Sequence, residues 1–217
     1  MQEEAVSIKE AYTRWSETYD ADPNRTRDLD AEVTREWLGG RRFGAILEIG
    51  CGTGKNTEFL ATLANRVTAV DFSPGMLQQA KAKAAERGFS RNVEFATVDV
   101  THAWPFAAGQ FDLIVCNLVL EHVADLGFVF AEAARCLRSG GEFFLCELHP
   151  FRQYEGTVAN FSRGGETTSV AAFVHHVSEF LQAAEASSLR LARFDERWHG
   201  DDAGRPPRLA AFRFRLT

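Results

Sequence analysis

Five short apolar runs alternate with amphipathic stretches in the first two thirds of the chain: AILEIG (45–50), RVTAVD (66–71), NVEFATVD (92–99), FDLIVCN (111–117) and GEFFLCEL (141–148). That rhythm predicts parallel strands joined by crossover helices, because parallel neighbours need a long return path and a helix supplies it. The helices fall near 55–65, 74–87 and 125–138. The second opens with Ser73 as N-cap and Pro74 at its first position and closes at Gly88, the usual start and stop chemistry of a helix. The expected fold is α/β, a doubly wound, Rossmann-like sheet.

After Pro150 the pattern changes. The stretch FRQYEGTVANFSRGGETTSV carries a Gly164-Gly165 break and is too long for a plain connection in a compact domain, which points to a functional lid or a disordered segment. A helix is expected at about 175–187, followed by LRLARFDER and RLAAFRFRL, which alternate apolar and polar residues as a half-buried antiparallel pair does. Upstream, EAYTRWSETYDAD and LDAEVTREWL read as two helices outside the βα repeat. With 217 residues and 45% hydrophobic content, one domain over 1–217 is expected. Residues 1–40 form a helical N-terminal piece and 150–176 an insertion.

The formal net charge is −6 and basic residues form no stripe, so nucleic acid is not an expected partner. No run is long and apolar enough to span a membrane, and MQEEAVSIKEAY carries acids where a secretory signal would carry bases. A cytoplasmic protein, monomeric or homodimeric, is expected. Cys51, Cys116, Cys136 and Cys146 show no CxxC spacing and read as reduced, mostly buried thiols.

The stretch ILEIGCGTGKNTEFL (46–60) holds Gly50, Gly52 and Gly54 at alternate positions where the first strand ends. A strand turning into a helix there presents unpaired amides and a positive helix end at the carboxyl edge of the sheet, where ligands of open α/β folds bind. The absence of Cβ atoms lets a ligand approach the main chain. A GxGxxG dinucleotide fingerprint would need glycine where Lys55 stands, and a P-loop needs a different spacing. Asp71 ends the second strand, about 20 residues on, where an acid can accept from both hydroxyls of a ribose. Asp99 ends the third and could accept from an exocyclic amine of adenine.

With these residues in place the chain resembles the class I S-adenosylmethionine-dependent methyltransferases, in particular the small-molecule branch that includes ubiquinone and menaquinone biosynthesis enzymes. The likeness rests on LEIGCGTGKNT, VTAVDFSPGML, TVDV, FDLIVCNLVLEHV, LRSGGEFFLCEL and the opening YTRWSETYD. It implies S-adenosylmethionine as cofactor, S-adenosylhomocysteine as product, and strand order 3-2-1-4-5-7-6 with the seventh strand antiparallel. By the same resemblance Glu48 organises the turn and the methionine amino group, and Gly50, Gly52 and Gly54 lie against methionine and ribose. Asp71 takes the ribose, Phe72 and Met76 flank the adenine, and Asp99 and Val100 address its edge. Asn117 and Leu118 lie beside the methionine, with Tyr12 and Tyr19 in a lid formed by 1–40.

Methyl transfer from a sulfonium asks the protein to align a nucleophile, exclude water and, for a hydroxyl acceptor, remove a proton. The resemblance puts His122 at the reactive end of the cofactor, and His149 follows the fifth strand at the same sheet edge; both are candidate bases. Of His175 and His176, adjacent on a helix, at most one faces the pocket. Tyr154, Phe161 and Phe173 suit an apolar cover over an aromatic or acyl acceptor. No metal is called for, since the histidines lack ligand spacing. NLVL at 117–120 is not the Asn-Pro-Pro-aromatic signature of nucleobase amino-methylating enzymes. The function expected is methyl transfer to a small molecule, at oxygen, with nitrogen and carbon open. The competing readings are a non-catalytic S-adenosylmethionine-binding regulator or partner subunit, and an NAD(P)-dependent oxidoreductase, which the glycine register argues against.

Overall fold

The computed structural model describes residues 7–163 and 166–217, so the Gly164-Gly165 break and residues 1–6 lie outside the described residues. Two helices, α1 (Ile8–Trp15) and α2 (Arg25–Leu38), precede the sheet. β1 (Phe43–Ile49), β2 (Ala64–Asp71), β3 (Val93–Thr97), β4 (Phe111–Asn117) and β5 (Leu137–Leu148) are mutually parallel, joined through α3 (Thr57–Leu63), α4 (Pro74–Arg87) and α5 (Leu126–Cys136). Then come α6 (Pro150–Tyr154), a small antiparallel hairpin of β6 (Asn160–Arg163) and β7 (Glu166–Ser169), α7 (Val177–Ala186), β8 (Leu189–Arg197) and β9 (Leu209–Leu216).

The main sheet has order β3-β2-β1-β4-β5-β9-β8, with β9 antiparallel to both neighbours. Setting the hairpin aside, this is the 3-2-1-4-5-7-6 order expected. Alternate residues of one strand serve opposite faces: Ile114 and Cys116 join the core under α5 and α7, while Leu113 and Val115 join the one under α2 and α3. Burial on both faces is why β4 and the later halves of β1 and β2 read as continuous apolar runs, whereas β3 at the sheet edge is only half-buried. The four cysteines are free and buried. No helix among the described residues is long and apolar enough to cross a membrane.

Several boundaries differ from those the sequence suggested, each for a local reason. β5 begins at Leu137, not Gly141, because Leu137 already pairs with Phe111 before a register shift carries the ladder on from Leu113 and Glu142. β3 stops at Thr97, not Asp99; the Asp99 carboxylate accepts from the amide and hydroxyl of Thr101 and so turns the chain. α4 matches its capping signals, with Ser73 Oγ accepting from the Met76 amide and Gly88 left-handed at φ +76°.

The insertion is tied down by charge. Arg152 in α6 is buried and lies 2.9 Å from Asp202 in the β8–β9 connection, and Asp202 also receives Arg208 at 2.6 Å. The paired Arg208 holds the Asp202 carboxyl far below the usual carboxylate range.

Candidate active site

At the carboxyl ends of β1, β2 and β4 the chain encloses a cavity, roofed by Ile8, Tyr12 and Tyr19 from the N-terminal segment. The three glycines of the β1 turn turn out to do different work. A Cβ on Gly50 (φ +65°) would lie 2.1 Å from Val119 Cγ2, so Gly50 makes room for the turn after β4. One on Gly54 (φ +82°) would meet Ala80 of α4 at 3.4 Å; Gly54 packs helix against turn and is not among the residues lining the cavity. Only Gly52 (φ +53°) has nothing within 4 Å of its would-be Cβ while facing the cavity.

Asp71 fastens that turn. Its Oδ2 accepts from the Gly52 amide at 2.9 Å and its Oδ1 from the Ser73 amide at 2.8 Å. Burial raises its pKa to about 6 despite these bonds. Phe72, Met76, Asp99 and Val100 complete this end of the cavity.

The opposite end is rich in acceptor oxygens. Glu48 is buried and accepts from Thr57 Oγ1 at 2.5 Å; burial, reinforced by the charges of Asp30 and Asp71, pushes its carboxyl up to about 8. Asp30 of α2 accepts from Asn56 Nδ2 at 2.8 Å, and Asn117 Nδ2 donates to Thr34 Oγ1 at 2.8 Å. Each of Asp30, Asn56 and Asn117 keeps one buried oxygen without a partner. Buried acceptors left open are costly, and all three line the cavity. Burial lifts the Asp30 carboxyl to about 6. The cations at the rim are engaged elsewhere: Lys55 pairs with Asp28, and Arg27 donates to the carbonyls of Tyr19 and Asp22. Three buried carboxyl groups around a void suit a ligand that brings positive charge and hydrogen-bond donors.

Asp30 and Asn56 were not singled out from the sequence. The signal was present for Asp30: in LDAEVTREWL it shares the helix face of Val33, Thr34 and Trp37, all buried, and an acid inside such a stripe asks for a partner.

α1 sits on the start of α4 because Gly75 leaves room; a Cβ there would lie 2.7 Å from Ser16 Oγ. Asp20, after α1, accepts from Thr53 of the glycine turn at 2.6 Å and pairs with Lys83 at 2.6 Å. The Tyr12 ring stands edge-on to Phe72 and His122, and Tyr19 lies under the Arg27 guanidinium at 3.9 Å.

Beyond β4 the chain passes Leu118 at φ +57°, then forms a 3₁₀ turn, Leu120–His122. Glu147 of β5 shapes it, accepting from the Val119 amide at 3.1 Å and the Leu120 amide at 3.2 Å. His122 lines the cavity. Its Nδ1 lies 2.8 Å from the Ala171 carbonyl and its Nε2 2.7 Å from the Tyr12 hydroxyl. A carbonyl only accepts, so Nδ1 carries the proton and Nε2 accepts from Tyr12. Burial lowers the His122 pKa.

His149 does not join the site. It is 2% exposed, caps α6 by accepting from the Phe151 amide at 3.2 Å, and places Nε2 2.9 Å from Glu196. The reason is Pro150: a helix starting there needs a cap at 149, and the imidazole fills that role. His175 is buried on the Val123 carbonyl at 2.7 Å and His176 is the N-cap residue of α7, so neither lines the cavity. Tyr154 and Phe173 are exposed, and the Phe161 side chain lies outside the described residues.

Comparison with known proteins places the chain in a methyltransferase family. Residues 47–145 match the family model for a methyltransferase domain. A ubiquinone biosynthesis O-methyltransferase of Xanthomonas axonopodis pv. citri is 30% identical over 81% of this chain and 72% of its own. Its counterpart in Xanthomonas oryzae pv. oryzae is 31% identical over 74% of this chain and 64% of its own. Among solved structures, an S-adenosylmethionine-dependent methyltransferase from Mesorhizobium loti superposes with TM-score 0.71, covering 87% of this chain and 99% of that one at 20% identity.

Proposed function

Since the chain belongs to the S-adenosylmethionine-dependent methyltransferases, we propose that it methylates a small-molecule acceptor at oxygen. The observation that carries the cofactor half of this reading is the acceptor-rich end of the cavity. Unpartnered oxygens of Asp30, Asn56 and Asn117, with Glu48 beside them, meet the donors of a methionine ammonium. Asp71 accepts from ribose hydroxyls, since each of its oxygens keeps a lone pair after its single backbone bond. Gly52 offers main chain that no Cβ shields, and Gly50 contributes backbone at the same wall. Phe72 and Met76 hold the adenine, Asp99 and Val100 meet its edge, and Leu118 lies by the methionine.

When bound, the cofactor supplies a methyl group already activated by sulfonium charge. The work left to the protein is alignment, exclusion of water and removal of a proton. We assign the described part of the segment 1–40, with Tyr12 and Tyr19, to closing over the cofactor. The insertion 150–176 belongs to the acceptor side, a reading supported by Thr157 to Asn160 lining the adjoining chamber and by Ala171 holding His122. Oxygen as the methylated atom is supported by the relatives' shared name.

Calorimetry of cofactor-stripped protein with S-adenosylmethionine and S-adenosylhomocysteine tests the binding half, and absence of binding by both refutes it. Release of S-adenosylhomocysteine across a panel of phenols, amines, carboxylates and quinone precursors tests the acceptor. Turnover with amines alone would move the assignment to nitrogen.

A further inference from the structure

A cluster of arginines occupies the corner of the main sheet formed by β5, β9 and β8. On β9, Phe212 and Phe214 join the core under α5 and α7, so strand alternation puts Arg213 and Arg215 on the α2 face. The ladder sets Arg190 of β8 directly opposite Arg215, and Arg193 directly opposite Arg213. Like charges opposite each other on one face destabilise a sheet. In a chain whose formal net charge is −6, such pairings call for a reason.

Where arginines stand together elsewhere in the fold, an acid is built between them. Arg152 and Arg208 share Asp202, at 2.9 Å and 2.6 Å. Arg193 and Arg197 share Glu36, at 3.5 Å and 2.5 Å, and Arg193 also rests on the Trp37 ring. Arg190 and Arg215 lack such an acid, since neither has an ion-pair partner among the described residues. Glu142 of β5 stands opposite Arg215 on its other side, but its Oε2 is already 2.7 Å from Arg41 and 3.9 Å from Arg213. Glu185 of α7 shares an edge groove with Arg190 without pairing to it. The Nε of Arg213 is buried and has no hydrogen-bond partner, which is costly for a charged donor.

Four guanidinium groups, of Arg41, Arg190, Arg213 and Arg215, thus gather around one carboxylate. We propose that this corner binds a phosphoryl dianion, which stands where Asp202 and Glu36 stand in the other two clusters. Guanidinium forks match phosphoryl oxygens in pairs, and a dianion answers a cluster in which more than one positive charge is left over. Arg190 and Arg215 hold it from neighbouring strands, and Arg213 supplies the open Nε. Glu142, Glu36 and the acidic balance of the whole chain repel a broad anionic surface such as a membrane, so the phosphoryl group belongs to a small soluble molecule. Arg41 precedes β1 and Arg215 lies near the end of antiparallel β9, which puts the site toward the amino ends of the parallel strands. The cofactor cavity opens at their carboxyl ends, so this inference stands apart from the methyltransferase reading.

Inorganic phosphate is the probe, compared with NaCl at equal ionic strength so that plain screening of the arginines is subtracted. A ³¹P magnetic-resonance titration gives the Kd, and thermal denaturation gives the stability. With phosphate at ten times its Kd, Tm rises by about 3–6 °C above the NaCl control. Arg190→Gln and Arg215→Gln each weaken phosphate binding by tenfold or more. Arg42→Gln, which alters an exposed neighbour bonded to the Arg41 carbonyl, leaves the Kd within twofold. Arg190→Glu sets a carboxylate opposite Arg215; in NaCl alone it is at least as stable as the wild type, and phosphate no longer shifts its Tm.

A phosphate response no larger than that of NaCl overturns the proposal, as does an equal response in the wild type, Arg190→Gln and Arg215→Gln. So does an Arg190→Glu variant that is less stable than the wild type in NaCl and still binds phosphate. Cosedimentation with phosphatidylcholine vesicles containing phosphatidic acid, lost in Arg190→Gln and unaccompanied by binding of free phosphate, would replace the small molecule with a lipid surface and overturn it too.

Discussion

Gly50 and Gly52 stand two residues apart in one turn, both left-handed, and replacing each by alanine should have opposite consequences. For Gly50→Ala the new methyl meets Val119 Cγ2 at 2.1 Å, inside any tolerated contact. A left-handed non-glycine residue costs about 1–2 kcal/mol and overpacking a further 1–3 kcal/mol, so a loss of about 3 kcal/mol is expected. In a chain of this length that is a fall in Tm of roughly 6–12 °C. Gly52→Ala carries only the backbone cost of about 1–2 kcal/mol, because nothing lies within 4 Å of the added methyl. That methyl enters the cavity, so S-adenosylhomocysteine affinity should drop by tenfold or more, which is about 1.4 kcal/mol. Urea denaturation with calorimetry separates the two effects. The double variant Gly50→Ala, Val119→Ala should recover at least half of the lost stability. Equal destabilisation by both alanines with equal affinities, or no rescue by Val119→Ala, would refute the division of labour within the turn.

Asp71→Ala should weaken S-adenosylhomocysteine binding by about 1–3 kcal/mol, the scale of hydrogen bonds to a charged acceptor; unchanged affinity in calorimetry removes the ribose assignment. Glu48 gives a pH signature in the cofactor-free protein. Its folded pKa of about 8 lies above the ordinary 4.5, so between those values the unfolded chain has lost a proton that the folded one keeps. Stability contributed by this group is therefore fullest below pH about 4.5 and declines as pH rises to about 8. Glu48→Gln should flatten that slope in denaturation curves taken across the window, and an unchanged slope assigns it to other groups. His149→Ala should leave S-adenosylhomocysteine release within about twofold while costing about 1 kcal/mol for the lost cap of α6; a large fall in turnover would return His149 to the site.

The order of the sheet and the place of the cavity were legible in the sequence because both follow from local chemistry. Apolar runs buried on two faces, Ser73-Pro74 and Gly88 around α4, and an acid at the end of β2 each declare themselves within a few residues. The alternation after residue 188 likewise announced the antiparallel pair, since one face of β8 stays open to solvent.

What the sequence left undecided depends on residues far apart in the chain. Glycine spacing marks a tight turn, but only packing shows that Gly50 yields to Val119, Gly54 to Ala80 and Gly52 to open space. A histidine after a strand looks the same whether it caps a helix, as His149 does, or meets Tyr12 across 110 residues, as His122 does. Asp30, which accepts from Asn56 through one oxygen, gained its significance because the other lost water without gaining a partner, and desolvation belongs to the assembled fold, not to any stretch of chain. Local pattern thus determined the scaffold and its ligand-binding edge, while tertiary burial decided which of the polar groups there are left open for chemistry.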